Sequence, residues 1–148
     1  PKPFSEARRV LRSGGTFIFN VWDAIEQNEF AEAVTSALQQ MFPDDPPRFM
    51  ARTPHGYSDT NVIAQHLADS GFSRQPNITT LAAKSRASSP SIPAIAYCQG
   101  TLLRSEIETR SAVGLIEATN VAVAEIAKRF GHGAIEGKIQ AHIVIVER

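Results

Sequence analysis

The stretch EARRVLRSGGTFIFNVWD, residues 6–23, decides the fold. Its first half predicts a helix over residues 4–12, because apolar residues recur at helical spacing and the arginines fall mostly on the other face. The pair Gly14–Gly15 stands where a helix ends, since glycine takes the left-handed conformation without a Cβ clash. Residues 16–22 are apolar apart from Asn20 and rich in β-branched and aromatic side chains. This composition predicts a strand that is covered on both faces.

The rest of the chain continues the alternation of helices and strands. Capping residues, apolar periodicity and glycine or proline breaks locate the elements. In chain order they predict a helix capped by Asn28 that stops before Pro43, a short extended piece at Arg48–Ala51, a turn at Thr53–Tyr57, a helix capped by Ser58 or Asp59 and closed at Gly71, a strand at 78–85, helices near 92–99, 103–110 and 113–130, and a last strand at 139–146.

The bulk composition is that of one ordinary soluble globular domain. The chain has 148 residues, 43% hydrophobic and 20% charged, which is enough for a real core. Its 15 basic and 15 acidic residues give a net charge of zero. This balance argues against nucleic acid or an anionic membrane as a partner. Near-zero charge with a pI of about 7.4 favours self-association near neutral pH.

The cysteine count and the hydropathy of the chain indicate its cellular compartment. The single cysteine, Cys98, excludes an internal disulfide and is typical of a reducing compartment. No apolar run approaches the roughly 20 residues of a membrane span, and no charged start precedes an apolar signal core. We therefore expect a cytoplasmic protein without a membrane partner.

The opening stretch also resembles a known family. A helix reading E-A-x-R-V-L-R-P-G-G before a strand is similar to the segment ahead of the fifth strand of class I S-adenosylmethionine-dependent methyltransferases. Glu6, Ala7, Arg9–Arg12 and Gly14–Gly15 match, and Ser13 replaces the usual proline. The later order of strands and helices also agrees, so the resemblance covers nearly the whole chain.

The resemblance implies an α/β fold, the C-terminal portion of a Rossmann-like methyltransferase domain. Residues 1–148 would form one partial domain, with a helical insert at 86–133 between its last two strands. The three strands would be the fifth, sixth and seventh of the family, in a mixed sheet of order 5-7-6. The glycine-rich turn and the acidic residue that grip the cofactor lie earlier in the family's domain. The full-length protein would therefore use S-adenosylmethionine, whereas this piece would bind no cofactor and be inactive alone.

The same resemblance bears on partners. The acceptor would be a small molecule that the sequence does not identify. The first strand would be an edge without its usual neighbour, and an apolar edge is a template for pairing with another chain. We therefore expect a homodimer or domain swap through this edge.

Candidate substrate-binding residues follow the first strand. Trp22 and Asp23 end that strand, where open α/β sheets place ligand contacts, although a core tryptophan and a capping aspartate are equally reasonable. The segment around His55 and Tyr57 combines a histidine, a glycine and a tyrosine in a turn. His55 would be a general base, or the segment is a surface turn with packing aromatics. Phe49 would flank the same pocket or plug the core.

Other chemistry-bearing residues have simpler interpretations. Asp44 and Asp45 lie among prolines and predict a solvated turn. Cys98 has no nearby base and predicts a buried structural thiol. The histidines lack the spacing of metal ligands, so no metal site is predicted. They are His55, His66, His132 and His142.

Two other functional classes remain beside the methyltransferase. A non-catalytic α/β interaction or oligomerisation module agrees with the missing glycine-rich turn and the unpaired edge. A small hydrolase would need a nucleophile on a sharp strand-to-helix turn, and no G-x-S-x-G occurs. The methyltransferase is the leading hypothesis, and the interaction module is the alternative.

Overall fold

The computed structural model describes residues 2–110 and 114–148, an α/β arrangement of a three-stranded sheet with flanking helices. A short 3₁₀ helix at Ile25–Gln27 follows the first strand. The predicted start of the last long helix at Val113 lies outside the described residues. The elements in chain order are α1 (Lys2–Val10), β1 (Thr16–Trp22), α2 (Glu29–Met41), α3 (Phe49–Arg52), α4 (Thr60–Asp69), β2 (Asn77–Ala87), α5 (Ser91–Gly100), α6 (Leu103–Arg110), α7 (Leu115–Phe130) and β3 (Ile135–Glu147).

The sheet has the order β1-β3-β2, and both of its strand pairs are antiparallel. Along β1, Trp22 lies opposite Ala141 of β3. Along β2, Leu81 lies opposite the same Ala141 from the other side. The α/β class with three strands and flanking helices is as predicted. The prediction of a mixed sheet was wrong for these strands, because β3 runs against both of its neighbours.

Helices α1 and α4 lie over one face of the sheet at the end formed by Val144 and Val146, and we call this face the covered face. Phe4 of α1 lies 5.1 Å from Phe19 and 6.1 Å from Phe17, measured between ring centroids. Asp59 caps α4 by accepting the backbone N–H groups of Asn61 and Val62, as predicted. Gly71 ends this segment with φ of +90°, and Phe72 returns to the core. The buried centre of this layer is Ile63, Leu67, Phe72, Val144 and Val146.

The opposite face is covered at one end only. There Phe30 of α2 packs so closely on Gly137 that a Cβ at residue 137 would lie 2.9 Å from the phenylalanine ring. Towards the other end, Ile18 is 61% exposed and Leu81 is 56% exposed. We call this uncovered part the open face. The expectation that β1 is covered on both faces was wrong, because its burial alternates residue by residue.

Helices α2, α5, α6 and α7 share a second core beyond the covered end of that face. The segment between β2 and β3 supplies three of these helices. Two apolar helix residues point outward, since Val10 of α1 is 68% exposed and Ile116 of α7 is 74% exposed. The fully buried members of the second core include Phe30, Val34, Leu38, Ala94, Cys98, Leu103, Ile107, Ala118, Ala122 and Ile126.

Helix α3 replaces the extended piece that was predicted at Arg48–Ala51. Its cause is a carboxylate from α6. Glu106 accepts the N–H groups of Arg48 at 2.8 Å and Phe49 at 3.1 Å, and it binds the Arg52 guanidinium at 2.7 Å. These bonds satisfy the free donors of a helix start, so a cap from a distant residue makes this turn helical.

None of the helices in the described ranges is both long and apolar enough to cross a membrane.

Candidate functional site

Asp23 stands directly after β1 and is the centre of a polar cluster. Its Oδ1 accepts the N–H of Ala24 at 2.7 Å, and its Oδ2 accepts the side-chain amide of Gln140 at 2.5 Å. The ring of His142 adds a third contact, with Nε2 3.2 Å from Oδ1. The Asp23 side chain is only 15% exposed. Asp23 is therefore an anchored carboxylate rather than a simple loop residue.

His142 links this carboxylate to the third strand of the sheet. A carboxylate only accepts hydrogen bonds, so Nε2 of His142 carries the proton that faces Asp23. In the neutral ring Nδ1 then accepts from the hydroxyl of Thr80, at a distance of 2.9 Å. The Asp23–His142–Thr80 array thus crosses from the end of β1 over β3 to β2. Thr80 stands within a strand, not on the strand-to-helix turn of a nucleophile elbow.

The environment of Asp23 favours its charged form. Burial alone would raise the pKa of the carboxyl group. The hydrogen bonds from Gln140 and Ala24, together with the charge and hydrogen bond of His142, outweigh burial and leave the pKa below the ordinary value of 3.8. The cluster therefore holds an ionised Asp23 at neutral pH.

Asn28 fastens the backbone around the same carboxylate. It was predicted as the cap of α2, but its side chain makes no capping bond to that helix. Instead its amide donates to the carbonyls of Asp23 at 3.2 Å and Ala24 at 3.1 Å, and to that of Gln140 at 3.3 Å. Its Oδ1 accepts the N–H of Gln140 at 3.1 Å. This buried amide locks the end of β1 to β3.

His55 is held by the backbone of Asp23. Its Nδ1 lies 2.8 Å from the carbonyl oxygen of Asp23. Since a carbonyl only accepts, Nδ1 donates, and in the neutral ring the lone pair is on Nε2. Nε2 has no hydrogen-bond partner among residues 2–110 and 114–148. His55 is 7% exposed, and its ring centroid lies 6.2 Å from that of Trp22. His55 is thus packed against the protein, whereas its neighbours Thr53 and Gly56 in the same turn are exposed.

A pocket of about 200 Å³ lies between this histidine and helix α5. It occupies the border where the helical layer ends and the open face begins. Three polar residues line it, namely Asn28, His55 and Thr101. The remaining lining is apolar or aromatic, from Trp22, Met50, Pro54, Tyr97 and Ile139. Burial raises the pKa of the Tyr97 hydroxyl, which has no hydrogen-bond partner in the described parts of the chain. The pocket therefore combines aromatic walls with unused polar groups.

Three of the five predicted site residues come together here. Trp22 and His55 line the pocket, and Asp23 supports it from behind. Phe49 packs against the helical core instead and is not part of the lining. Tyr57 lies on the covered face, where its hydroxyl is 2.9 Å from Nδ1 of His66 and the two rings stack.

The sequence analysis missed the residues that hold the cluster from the sheet. Gln140 and His142 are the polar positions of an otherwise apolar stretch, two residues apart and thus on one face of β3. Thr80 joins them only because the register places it opposite His142. Polar residues at this spacing inside an apolar strand were a signal for Gln140 and His142. Tyr97 and Thr101 carried no signal of this kind.

The other chemistry-bearing residues have structural surroundings. Cys98 is fully buried, and burial raises the pKa of its thiol to about 11, which confirms an inert structural thiol. Asp44 and Asp45 are exposed, and Asp45 pairs with Arg110 at 2.9 Å. Within the described residues, no group of three or more His, Cys, Asp or Glu side chains could hold a metal ion.

No model of a protein family matches the chain, and no curated protein matches it.

Proposed function

We propose that this chain is the acceptor-side part of an S-adenosylmethionine-dependent methyltransferase, acting on a small molecule in the cytoplasm. The observation that carries the proposal is the pocket at the end of β1, between Trp22, His55 and Tyr97. In the mostly parallel sheet of the complete domain that the resemblance implies, ligands bind beyond the carboxyl ends of the strands. The pocket lies at that position in the strand that follows the family-like segment 6–15.

The sheet and the insert support the same proposal. β3 lies between β1 and β2, and this position supports the order 5-7-6 that the resemblance implies for the last three strands. Helix α5 of the segment between β2 and β3 brings Tyr97 to the pocket. In the resembled family such inserts often carry acceptor specificity. The described parts of this chain would thus form the walls of the site that binds the methyl acceptor.

S-adenosylmethionine, when bound, supplies an electrophilic methyl group. The described residues do not fit its glycine-rich turn. β1 and β2 are each followed by a helix, yet the connecting residues 23–24 and 88–90 contain no glycine. The cofactor would therefore be held elsewhere in the full-length protein.

His55 is the residue proposed to handle the proton. Its Nδ1–H is fixed on the carbonyl of Asp23, so Nε2 is left as the acceptor of a proton from a ligand. Asp23 is in turn fixed by Gln140 and His142, which act as positioning residues. The chain would thus bind and orient the acceptor and take its proton at His55 Nε2.

The proposal is tested on the polypeptide expressed from the natural gene, with whatever is encoded ahead of Pro1. It is incubated with cofactor carrying a trideuterated methyl group and with the small-molecule extract of the source cells. Mass spectrometry should find a deuterated product. His55→Asn should lower its rate by about 100-fold or more, whereas His132→Asn, at an exposed histidine, should not. The absence of any deuterated product would contradict the proposal.

The free edge of β1 favours a second candidate, a self-association module. Within the described residues β1 pairs only with β3. The N–H of Asp23 donates to Gln140, so the backbone groups of the odd-numbered residues of β1 face β3. Those of Thr16, Ile18, Asn20 and Trp22 therefore face outward. The strand carries no charge, lysine or proline that would discourage pairing.

This second candidate has a defined geometry. A two-fold antiparallel pairing centred on Phe19 places Ile18 opposite Asn20 of the second copy, and Thr16 opposite its Trp22. All four outward-facing residues of each copy would then be hydrogen-bonded. Light scattering on the wild type should give a dimer. Asn20→Pro, which removes one of these donors, should give a monomer, whereas Asn20→Ala should stay dimeric. A monomeric wild type would remove this candidate.

A further inference from the structure

The chemistry of the pocket wall narrows the class of ligand. No Asp, Glu, Lys or Arg side chain lines it. Asp23, the carboxylate behind the pocket, has both oxygens occupied by Ala24, Gln140 and His142. A charged ligand would therefore lose its hydration without gaining an opposite charge. The lining selects for a neutral molecule.

The aromatic side chains favour a flat ligand. Trp22 and His55 are tilted by 43° to each other, and Tyr97 completes the wall from α5. Aromatic rings bury large areas and prefer offset or edge-to-face neighbours. Met50 and Ile139 add apolar surface that adapts to a ring but offers no hydrogen bond.

The hydrogen-bonding groups in the wall are mostly occupied by the protein itself. Asn28 uses its whole amide on the backbone. The Thr101 hydroxyl donates to the carbonyl of Tyr97 and accepts the N–H of Leu103. His55 Nε2 is left as an unused acceptor in the wall, with no partner anywhere in residues 2–110 or 114–148. A ligand that donates to Nε2 satisfies this acceptor, and the Tyr97 hydroxyl, which is also unpaired within the described residues, can act as donor or acceptor.

The volume of the pocket limits the size of the ligand. An apolar cavity of about 150 Å³ is enough to bind benzene. At about 200 Å³, this pocket admits a single substituted ring and is smaller than typical sites for drug-sized ligands. A fused polycyclic ligand would not be enclosed.

From these observations we infer that the pocket binds a small neutral hydroxyarene, one aromatic ring whose O–H donates to His55 Nε2. The inference rests on the proposed function only for its biological meaning, in which the hydroxyl oxygen is the methyl acceptor. The binding itself depends on the pocket of the described residues.

The test uses the only tryptophan of the chain as a reporter. The indole N–H of Trp22 gives a single peak in a nitrogen-resolved NMR spectrum of the 148-residue protein. Phenol should shift this peak saturably. Anisole, which has no donor, should bind about 3- to 10-fold more weakly. Cyclohexanol should be weaker than phenol, and benzoate should leave the peak unmoved.

A matched pair of variants tests the role of the histidine. In His55→Asn the new amide can still donate to the carbonyl of Asp23, but the Nε2 acceptor is gone. The variant should bind phenol and anisole equally. His132→Asn should keep the preference for phenol. The ratio of phenol to anisole binding in the wild type needs no variant, so the test survives a variant that fails to fold.

The outcomes separate the inference from the proposed function. Absence of a phenol shift, equal binding of benzoate, or an unchanged preference in a folded His55→Asn would overturn the inference. Phenol binding by a protein that yields no deuterated product would leave the inference standing and defeat the proposed function. A deuterated product without phenol binding would defeat the inference alone.

Discussion

The two faces of one sheet differ in what covers them, although the same strands build both. On the covered face, Val144 and Val146 are buried under α1 and α4. On the open face, Ile145 between them is 38% exposed, and Ile18 opposite it is 61% exposed. At this end of the sheet β1 and β3 are apolar on both sides, yet only the side of Val144 and Val146 lies under a helical layer.

The covered face thus stabilises the fold, whereas the open face remains available to ligands or partners. Side chains on the covered face lose most of their contact with water, and this burial stabilises the fold. The open face makes little contribution of that kind and meets the helical layer only at the pocket. Contiguous exposed apolar surface of this sort is typical of interaction sites. The following predictions test this division, from the largest expected effect to the smallest.

The largest difference is expected between two leucines. Leu67→Ala removes a fully buried side chain of α4 from the covered face and should lower the free energy of unfolding by about 2–5 kcal/mol. Leu81→Ala on the open face, at a leucine that is 56% exposed, should cost less than about 1 kcal/mol. Urea unfolding followed by circular dichroism measures both. Equal losses would show that the two faces are not distinguished as described.

A smaller effect is expected where the helical layer meets β3. Gly137→Ala places a Cβ 2.9 Å from the ring of Phe30, which is itself buried against Phe130. The overlap should lower the free energy of unfolding by about 1–3 kcal/mol. Gly133→Ala is the control, because nothing lies within 4 Å of its added Cβ. If urea unfolding finds both variants as stable as the wild type, Phe30 does not pack closely on Gly137.

Asp23 should give a pH-dependent effect at the border of the two faces. Its pKa is lower in the folded protein, so its stabilisation is complete at neutral pH and is lost as the pH falls below the ordinary value of 3.8. Asp23→Asn should cost about 1 kcal/mol near pH 7 and progressively less towards acid. Unfolding free energies measured across this pH range provide the test, with exposed Asp44→Asn as the control. A cost that does not change with pH would contradict an ionised, anchored Asp23.

The smallest effect is expected on the open face of β1. Ile18→Thr keeps a β-branched residue in the strand and changes only an exposed side chain. The free energy of unfolding should stay within about 0.5 kcal/mol of the wild type. Chemical denaturation at low protein concentration measures this. A loss above about 1 kcal/mol would mean that Ile18 is covered in solution.

Sequence patterns predict the helices and strands whose determinants lie within the segment itself. They fail where the determinant is a contact with a residue distant in the chain. The bounds of β1 and of α6 at Leu103–Arg110 agree with the prediction, because propensity and punctuation are contained within each segment. Helix α3 was missed because its cap, Glu106, lies more than fifty residues away. The open face was missed because hydrophobic residues indicate that a surface avoids water, not that a helix lies over it.

The candidate site was predicted in the same uneven way. Trp22, Asp23 and His55 are at strand ends and turns, where sequence patterns indicate ligand contacts. Their relation to His142, Gln140 and Thr80 depends on the register of three strands, which local patterns do not contain. Phe49 and Tyr57 were placed near the pocket by proximity along the chain, whereas the fold directs them into two different cores.

The most direct test of the central claim is calorimetric titration with S-adenosylhomocysteine, because it needs no knowledge of the acceptor. The polypeptide expressed from the natural gene should bind one equivalent, whereas residues 1–148 alone should bind none. Binding by the natural polypeptide would support the proposed methyltransferase. A natural polypeptide that folds but binds no cofactor product, or binding by residues 1–148 alone, would contradict this account.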